Sequence, residues 1–263
     1  MKLRTLFSLG AAVCVASASA ATLDSPNTYG ILALNDTTSS DLMISVPWVD
    51  CANASQNTFV SNVVKTTNLA AGDYLILKEG STYYSWKLTG TAPDLHWTAM
   101  SVTTSDGVTT SEDASGKRIA RGMALWLHRA TPSTSSPIYL FGQYSTAAAT
   151  TTITAGSTTM IANPGHAAKN PNSFTWTSGG PASGDKILVN VPGGYRTYTY
   201  NGTKWTYIVK TASGSAMTLP KKKGQTTAQT TYNVTETETD AVDIPAGTGF
   251  WYQSGTGAGV IGW

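Results

Sequence analysis

The second half of this 263-residue chain repeats the order of segments found in its first half. Six short segments between residues 42 and 142 are followed, in the same order, by six similar segments between residues 159 and 262. The matched pairs are 42–47 with 159–164, 71–77 with 183–189, 83–88 with 195–200, 95–98 with 203–206, 119–127 with 244–252, and 140–142 with 260–262. The offset of roughly 110–125 residues is far longer than the 20–50 residues of a solenoid repeat. The pattern therefore predicts two tandem copies of one domain-sized unit.

Each copy is predicted to be built of β-strands. Residues 195–200 alternate between a Thr-rich face and an aromatic face, and Asn201-Gly202 then forms a hairpin signal that leads into a strand at 205–209. No window shows a 3.6-residue apolar period with helix caps, and residues 58–67 are the best helical candidate. The predicted fold class is therefore all-β, with two tandem similar β-sandwich or barrel-like units and mostly antiparallel strands. Their expected bounds are residues 22–146 and 147–263.

Two Thr-, Ser- and Gly-rich segments, residues 103–116 and 212–239, contain few apolar side chains. Such segments gain little from burial that would offset the entropy of ordering them. Both are therefore predicted to be surface loops, and residues 147–150 are predicted to link the two units.

A glycine follows each of these loops, Gly122 in the first copy and Gly247 in the second. Each is expected to have a positive φ or a close approach that a Cβ would prevent. The strands that follow carry Trp126 and Trp251. Both rings are predicted to lie in the core beside the Tyr-rich hairpin of the same unit.

The N-terminal residues have the features of a secretory signal peptide. Lys2 and Arg4 precede an apolar run at 6–15, and residues 18–20 (Ala-Ser-Ala) supply a cleavage site of small residues. The apolar run is far shorter than the ~20 residues of a membrane span, so no transmembrane helix is predicted. Residues 1–21 are therefore expected to be a signal peptide cleaved near Ala20, which predicts a protein of the periplasm, the cell surface or the extracellular space.

Charge and cysteine content indicate which partners and which cross-links the chain is expected to have. Charged residues make up 12% of the chain and the net charge is +2, which argues against a nucleic acid partner. Eight Trp and twelve Tyr favour packed surfaces over disorder. Once the signal peptide is removed, Cys51 is the one cysteine left, so no internal disulfide is expected and burial of the thiol is favoured.

Together, several of these segments resemble a duplicated, exported type of bacterial β domain. Its features are a Val-Pro or Asn-Pro step after a strand, a Gly-Asp strand, a Tyr-rich hairpin with Trp, and a closing Ile-Pro-Ala-Gly-x-Gly-Phe-Trp-Tyr element. The residues that carry the resemblance are Val46-Pro47, Asn163-Pro164, Gly184-Asp185, Tyr198, Trp205 and 244–252. The resemblance implies the fold and export, and it implies no activity, cofactor or catalytic residue.

Aromatic residues of the Tyr-rich strands are the candidate ligand-binding residues: Tyr84, Trp86, Tyr198 and Tyr200. Tyr and Trp combine an apolar ring with a polar group, which suits stacking against sugars. The alternative is that these rings pack the core, because both copies carry aromatics at these places. If they do bind a ligand, the expected partner is a glycan or envelope polymer.

Asp73 and Asp185 follow a glycine at the same place in the two copies. One interpretation is a carboxylate pair for glycoside hydrolysis or a calcium ligand. The other is a turn in which each Asp accepts hydrogen bonds from backbone N–H groups two residues on and starts a strand. The repeat of a lone Gly-Asp favours this second interpretation.

The three histidines, His96, His128 and His166, occur in unrelated contexts without a metal-ligand spacing. No catalytic residue, metal or cofactor is therefore predicted. The acidic run at 236–243 and the basic run at 221–223 are expected to be solvated loop residues.

These features favour an exported, non-catalytic structural or interaction protein of the cell envelope or extracellular space, with glycan binding or adhesion as its activity. An alternative is a secreted hydrolase that acts on envelope polysaccharide, which needs carboxylates from both units in one cleft. A second alternative is an outer-membrane β-barrel, because the sequence reaches Trp263 in a predicted strand.

Overall fold

A computed structural model gives the fold of the chain. It describes residues 29–34, 40–51, 57–100, 103–105, 108–110, 114–130, 137–145, 147–165, 167–191, 194–218 and 230–263. The predicted signal peptide, its cleavage site, His166 and the basic run at 221–223 lie outside these residues. The described strands form antiparallel sheets, which confirms the all-β prediction.

The elements fall into two series along the chain. The first series is β1 (Tyr29–Leu34), β2 (Asp41–Ser45), α1 (Val60–Val63), β3 (Tyr74–Glu79), β4 (Thr82–Thr89), β5 (His96–Ala99), β6 (Thr103–Ser105), β7 (Val108–Thr110), β8 (Ala124–His128) and β9 (Ile138–Gln143). The second series is β10 (Thr150–Ile153), β11 (Thr158–Ala162), a 3-10 turn (Pro171–Ser173), β12 (Thr175–Gly180), β13 (Lys186–Val191), β14 (Gly194–Tyr200), β15 (Trp205–Thr218), β16 (Thr230–Asp240), β17 (Gly249–Gln253) and β18 (Ala258–Gly262). The one α-helix among these elements lies within the predicted helical candidate at 58–67.

Two large sheets hold most of the strands. The first large sheet has the order β2-β8-β3-β4-β5, and the second has the order β11-β17-β13-β14-β15-β16. The positions of β2, β8, β3, β4 and β5 in the first sheet are thus taken by β11, β17, β13, β14 and β15 in the second. Smaller sheets, β1-β9 and β10-β18-β12, accompany the first and second large sheets respectively.

A separate hydrophobic core lies on one face of each large sheet. In the first core, Leu75, Leu125 and Leu140 are fully buried, so the first large sheet packs against the β1-β9 pair. In the second core, Phe250 and Ile261 are fully buried, so the second large sheet packs against β10-β18-β12. Alternation along β8 and β17 sends every second side chain into these cores and the intervening ones to the opposite face.

The opposite faces of the two large sheets pack against each other around a third apolar group, the inter-sheet cluster. It consists of Met43, Ala124, Met160 and Ala162 with the half-buried rings of Trp126 and Trp251. The prediction that both Trp rings lie in the unit cores is therefore wrong. Neighbours in β8 and β17, such as Leu125 and Phe250, take the core-facing positions, which leaves each Trp on the other face.

Backbone contacts between the large sheets come in reciprocal pairs. The N–H of Ser45, at the end of β2, donates to the carbonyl of Gly247 at 2.7 Å. The N–H of Ala162, at the end of β11, donates to the carbonyl of Gly122 at 3.1 Å. Each half of the chain thus presents the same two features, a strand end and a glycine turn, to the other half.

Side-chain contacts show the same reciprocity. Lys78 Nζ in β3 donates to the carbonyl of Thr158 at 2.8 Å, where β11 begins. Asn190 Nδ2 in β13 donates to the carbonyl of Asp41, where β2 begins. Each half of the chain therefore contributes one side-chain donor and one carbonyl acceptor to the contact between the large sheets.

The loop prediction for residues 103–116 and 212–239 is wrong for most of the residues that the structure describes there, although residues 114–116 do lie in a turn. The short hairpin β6-β7 lies in the first segment, and half of β15 and most of β16 lie in the second. Thr has high strand propensity, and the backbone of a hairpin forms its hydrogen bonds without apolar side chains. A low apolar content therefore did not prevent regular structure here.

Candidate functional site

Two of the four predicted ligand-binding aromatics are buried in the cores. Trp86 is 5% exposed in the first core and Tyr198 is 1% exposed in the second, so neither ring has a face open to a ligand. Tyr84 is half-buried, and Lys117 Nζ lies 4.5 Å from its ring centroid.

Tyr200, the fourth of these aromatics, is half-buried beside Trp205, with 5.3 Å between the ring centroids. Tyr200 packs against the second core and Tyr84 against the first. The structure therefore divides the four rings between two cores and does not bring them onto one platform.

Asp73 lies in a turn that precedes β3. The residue is 1% exposed, and its carboxylate accepts the N–H of Ala70 at 2.9 Å and the N–H of Ala130 at 2.9 Å. Both carboxylate oxygens therefore connect the start of β3 to neighbouring backbone.

Asp185 makes the corresponding contacts before β13. It is fully buried and accepts the N–H of Ala182 at 3.1 Å and the N–H of Gly255 at 2.8 Å. The hydroxyl of Tyr252 also donates to Asp185 at 2.8 Å. Burial raises the pKa of Tyr252, and the hydrogen bond to Asp185 raises it further. Asp73 and Asp185 therefore lie in turns and accept backbone N–H groups, as predicted. The donors are the third residue before each Asp and a distant residue, and not the residue two positions after it.

The two histidines that the structure describes, His96 and His128, lie in separate environments. His96 is exposed and lies 3.0 Å from the carbonyl of Asp94 through its Nδ1. His128 Nδ1 lies 2.8 Å from Asp41 Oδ1, at the edge of the contact between the large sheets. Within the described ranges, no group of three or more His, Cys, Asp or Glu side chains is placed to hold a metal ion.

Asp41 forms a small polar group with His128 and Trp126. Trp126 Nε1 donates to Asp41 Oδ1 at 3.0 Å, so the carboxylate oxygen is shared by the indole and the imidazole. Burial alone raises the pKa of Asp41. The hydrogen bonds from His128, Trp126 and Ser40, together with the electrostatic attraction of His128, outweigh burial and leave the pKa below its ordinary value.

A cavity of about 310 Å³ lies where the two halves of the chain meet. Its wall includes Arg121 and Tyr144 from the first series of elements and Asn163, Pro164, Lys169 and Trp263 from the second. Tyr144 is 38% exposed at this wall, so the lining combines cationic, polar and aromatic side chains.

Arg121 precedes Gly122 in the turn that leads into β8. The N–H of Met123 donates to the carbonyl of Ala120 at 3.1 Å, and Gly122 has a φ of +90°, as the third position of a type II turn requires. The guanidinium of Arg121 donates to the carbonyls of Ser145 and Ala147, which hold it against the cavity wall. Burial lowers the pKa of Arg121.

Lys169 enters the cavity wall from the second series. Its backbone pairs with Ile244 through two hydrogen bonds of 2.9 Å, and its Nζ lies 5.3 Å from the ring centroid of Trp263. Burial lowers the pKa of Lys169. Among the described residues, the Lys169 ammonium therefore lies near an aromatic ring and pairs with no carboxylate.

Trp263 is held in place by three contacts. Its Nε1 donates to Thr151 Oγ1 at 2.9 Å, its N–H donates to the carbonyl of Ala149 at 3.0 Å, and its ring meets Phe174 edge to face at 5.0 Å. The aromatic part of the cavity wall is thus preorganised.

Sequence reasoning missed Arg121, Lys169 and Trp263 as site residues. They are far apart along the chain, and only the packing of the two halves brings them to one cavity. One signal was present in the matched segments, because the segment 119–127 has Arg121 where the segment 244–252 has Ala246.

Comparison of the chain with protein-family models, with curated proteins and with solved structures finds no match. Among the described residues, no helix is both long enough and apolar enough to span a bilayer. The function must therefore be argued from the site itself.

Proposed function

We propose that the chain is an exported, non-catalytic interaction protein of the cell envelope or extracellular space, and that it binds a glycan in the cavity between its two halves. The observation that carries the proposal is the cavity lined by Arg121, Tyr144, Asn163 and Trp263. A concave site with aromatic walls and a few polar groups is the usual form of a saccharide or small-molecule site. The aromatic contribution to binding is thus assigned to Tyr144 and Trp263.

The proposal includes a tandem duplication, with one unit at 22–146 and the other at 147–263. It is supported by the shared strand order of the two large sheets and by their reciprocal contacts. It is also supported by the matching backbone hydrogen bonds of Asp73 and Asp185. A ligand site at the junction then has walls from both units.

Export is proposed from residues 1–21, with cleavage near Ala20. The mass of the protein recovered from the periplasm or medium tests this step, and a product that retains the first 20 residues would contradict it. The proposal assigns no catalytic residue. The carboxylates that a hydrolase would need, Asp73 and Asp185, are engaged by backbone N–H groups and by Tyr252.

Glycan binding is tested by incubating the purified protein with a broad panel of glycans and envelope polymers. We expect binding of a restricted set, weakened by Tyr144→Ala. Tyr195→Ala is the matched control, because Tyr195 is 48% exposed but does not line the cavity. If the protein binds no member of the panel and no partner is captured in crosslinking pull-downs, the proposed function is rejected.

A further inference from the structure

The two glycine turns at the junction have the same backbone but different surroundings. Gly247 has a φ of +76°, and a Cβ built on it would lie 2.5 Å from both Leu32 Cδ2 and Leu34 Cδ2. The nearest atoms to a Cβ on Gly122 are Thr151 Oγ1 at 3.7 Å and Pro164 Cβ at 3.8 Å. The space beside Gly247 is filled by leucines, whereas the turn at Gly122 borders the cavity.

The residues that precede the two glycines also differ in charge. Arg121 precedes Gly122, whereas Ala246 precedes Gly247. The chain therefore has a cation and a cavity at one turn, and a small residue with apolar packing at the other. Packing alone does not require a cation at this position, because the second turn forms without one.

Neither cation of the cavity wall has a carboxylate partner among the residues that the structure describes. Across the described part of the chain, Arg121 and Lys169 take part in no ion pair, whereas Lys117, Lys204 and Lys210 each have an acidic partner. Carbonyl oxygens of Ser145 and Ala147 orient Arg121 but carry no net charge to offset it.

Within the described residues, Arg121 also retains hydrogen-bond donors that no acceptor occupies. A guanidinium has five N–H donors in a planar fork, and two of the Arg121 nitrogens each donate to one carbonyl. The remaining donors suit a carboxylate or phosphate, to which Arg binds in a bidentate manner. Two half-buried cations in one cavity attract an anion more strongly than the same charges do in water.

We infer that the cavity between the halves binds an anionic saccharide, with its carboxylate or phosphate group between Arg121 and Lys169 and its sugar ring towards Tyr144. The inference rests on the proposed glycan-binding function and specifies its ligand class. A uronic acid and a sugar phosphate both supply the required anion, so they are separate arms of the test.

Isothermal titration of the full-length mature protein with D-glucuronate, D-glucose 6-phosphate and D-glucose is the test. We expect one or both anionic sugars to bind and glucose to bind at least about tenfold more weakly, which is the loss expected for one charge-assisted hydrogen bond. A stronger response to glucuronate identifies a uronic acid as the ligand, and a stronger response to glucose 6-phosphate identifies a phosphate-bearing sugar.

Arg121→Gln and Lys169→Gln are each expected to weaken binding of the anionic sugar by at least about tenfold. Lys204→Gln is the matched control, because Lys204 pairs with Asp240 and is not part of the cavity wall. Lys169→Gln still tests the inference if Arg121→Gln impairs folding. Within the described residues, the Lys169 side chain contacts Trp263 alone, so this substitution should leave the fold intact.

Equal binding of glucose and the anionic sugars, unchanged in both cavity variants, would overturn the inference while leaving glycan binding intact. An equal loss in Lys204→Gln would also overturn it, because the attraction would then be a property of overall charge. If none of the three sugars binds and no member of the wider glycan panel binds, the proposed function itself is rejected.

Discussion

Trp126 and Trp251 meet edge to face, with ring centroids 6.1 Å apart and ring planes at 79°. They occupy matched positions in β8 and β17, and their contact lies between the two large sheets. Each half of the chain therefore contributes one Trp ring to this contact. An edge-to-face pair of this kind contributes about 0.5–1.5 kcal/mol beyond the burial of its surface.

A double-mutant cycle of Trp126→Ala and Trp251→Ala measures this contact. Each single change should lower the free energy of unfolding by about 2–3 kcal/mol, which is less than the ~3–5 kcal/mol of a fully buried ring because both rings are half-buried. The coupling energy should be about 0.5–1.5 kcal/mol in urea unfolding. Additivity within about 0.3 kcal/mol would show that the two rings do not interact in solution.

The two turn aspartates should differ in their contribution to stability. Asp185→Asn should cost more than Asp73→Asn, because Asp185 accepts a hydrogen bond from Tyr252 in addition to two backbone N–H groups. Each substitution should cost about 1.5–3 kcal/mol in urea unfolding, since a hydrogen bond to a charged group is lost. In a Tyr252→Phe background the difference between the two should shrink, and an unchanged difference would argue against this assignment.

Much of the fold follows from local sequence signals. The Asn201-Gly202 signal predicts a hairpin, and β14 and β15 pair there, with Asn201 Oδ1 accepting the N–H groups of Thr203 and Lys204 at 3.0 Å. The predicted positive φ of Gly122 and Gly247 is also confirmed. These features depend on a few neighbouring residues, so a sequence contains enough to predict them.

The contact between the sheets could not be predicted with the same argument. In β8, Leu125 and Leu127 face the core while Trp126 faces the other sheet, so both faces of the strand are apolar. A strand that is apolar on both faces is buried on both, and this was the available signal for a second layer. The cavity had no comparable signal, because it forms where Arg121, Lys169 and Trp263 converge after the sheets pack.

Stability should depend on pH through Asp41. Its pKa is lowered in the folded protein, so its stabilising contribution is present above the ordinary value of 3.8 and is lost as the pH falls through the folded value. The free energy of unfolding should therefore fall as the pH is reduced below about 4, and it should fall less in Asp41→Asn. Trp126→Phe removes one donor to Asp41 and should give an intermediate dependence. Parallel curves for the wild type and Asp41→Asn in urea unfolding would contradict this role.

The two glycine turns should differ in their tolerance of a side chain. Gly122→Ala and Gly247→Ala both place an L residue at positive φ, which costs about 1–2 kcal/mol. The Cβ at position 247 also overlaps Leu32 and Leu34, whereas the Cβ at position 122 meets no atom closer than 3.7 Å. Gly247→Ala should therefore lower the free energy of unfolding by about 1–3 kcal/mol more than Gly122→Ala.

Leu32 supplies the control for this difference. Leu32→Ala alone should destabilise the protein, because Leu32 packs against the first core. Combined with Gly247→Ala it should cost less than the sum of the two single changes, since removal of Leu32 Cδ2 relieves one of the 2.5 Å overlaps. Combined with Gly122→Ala the costs should add, because Leu32 is not among the atoms near that turn. If Leu32→Ala couples equally to both glycine substitutions in urea unfolding, Leu32 does not distinguish the two turns. That result would contradict the assignment of a filled space beside Gly247 and an open one beside Gly122.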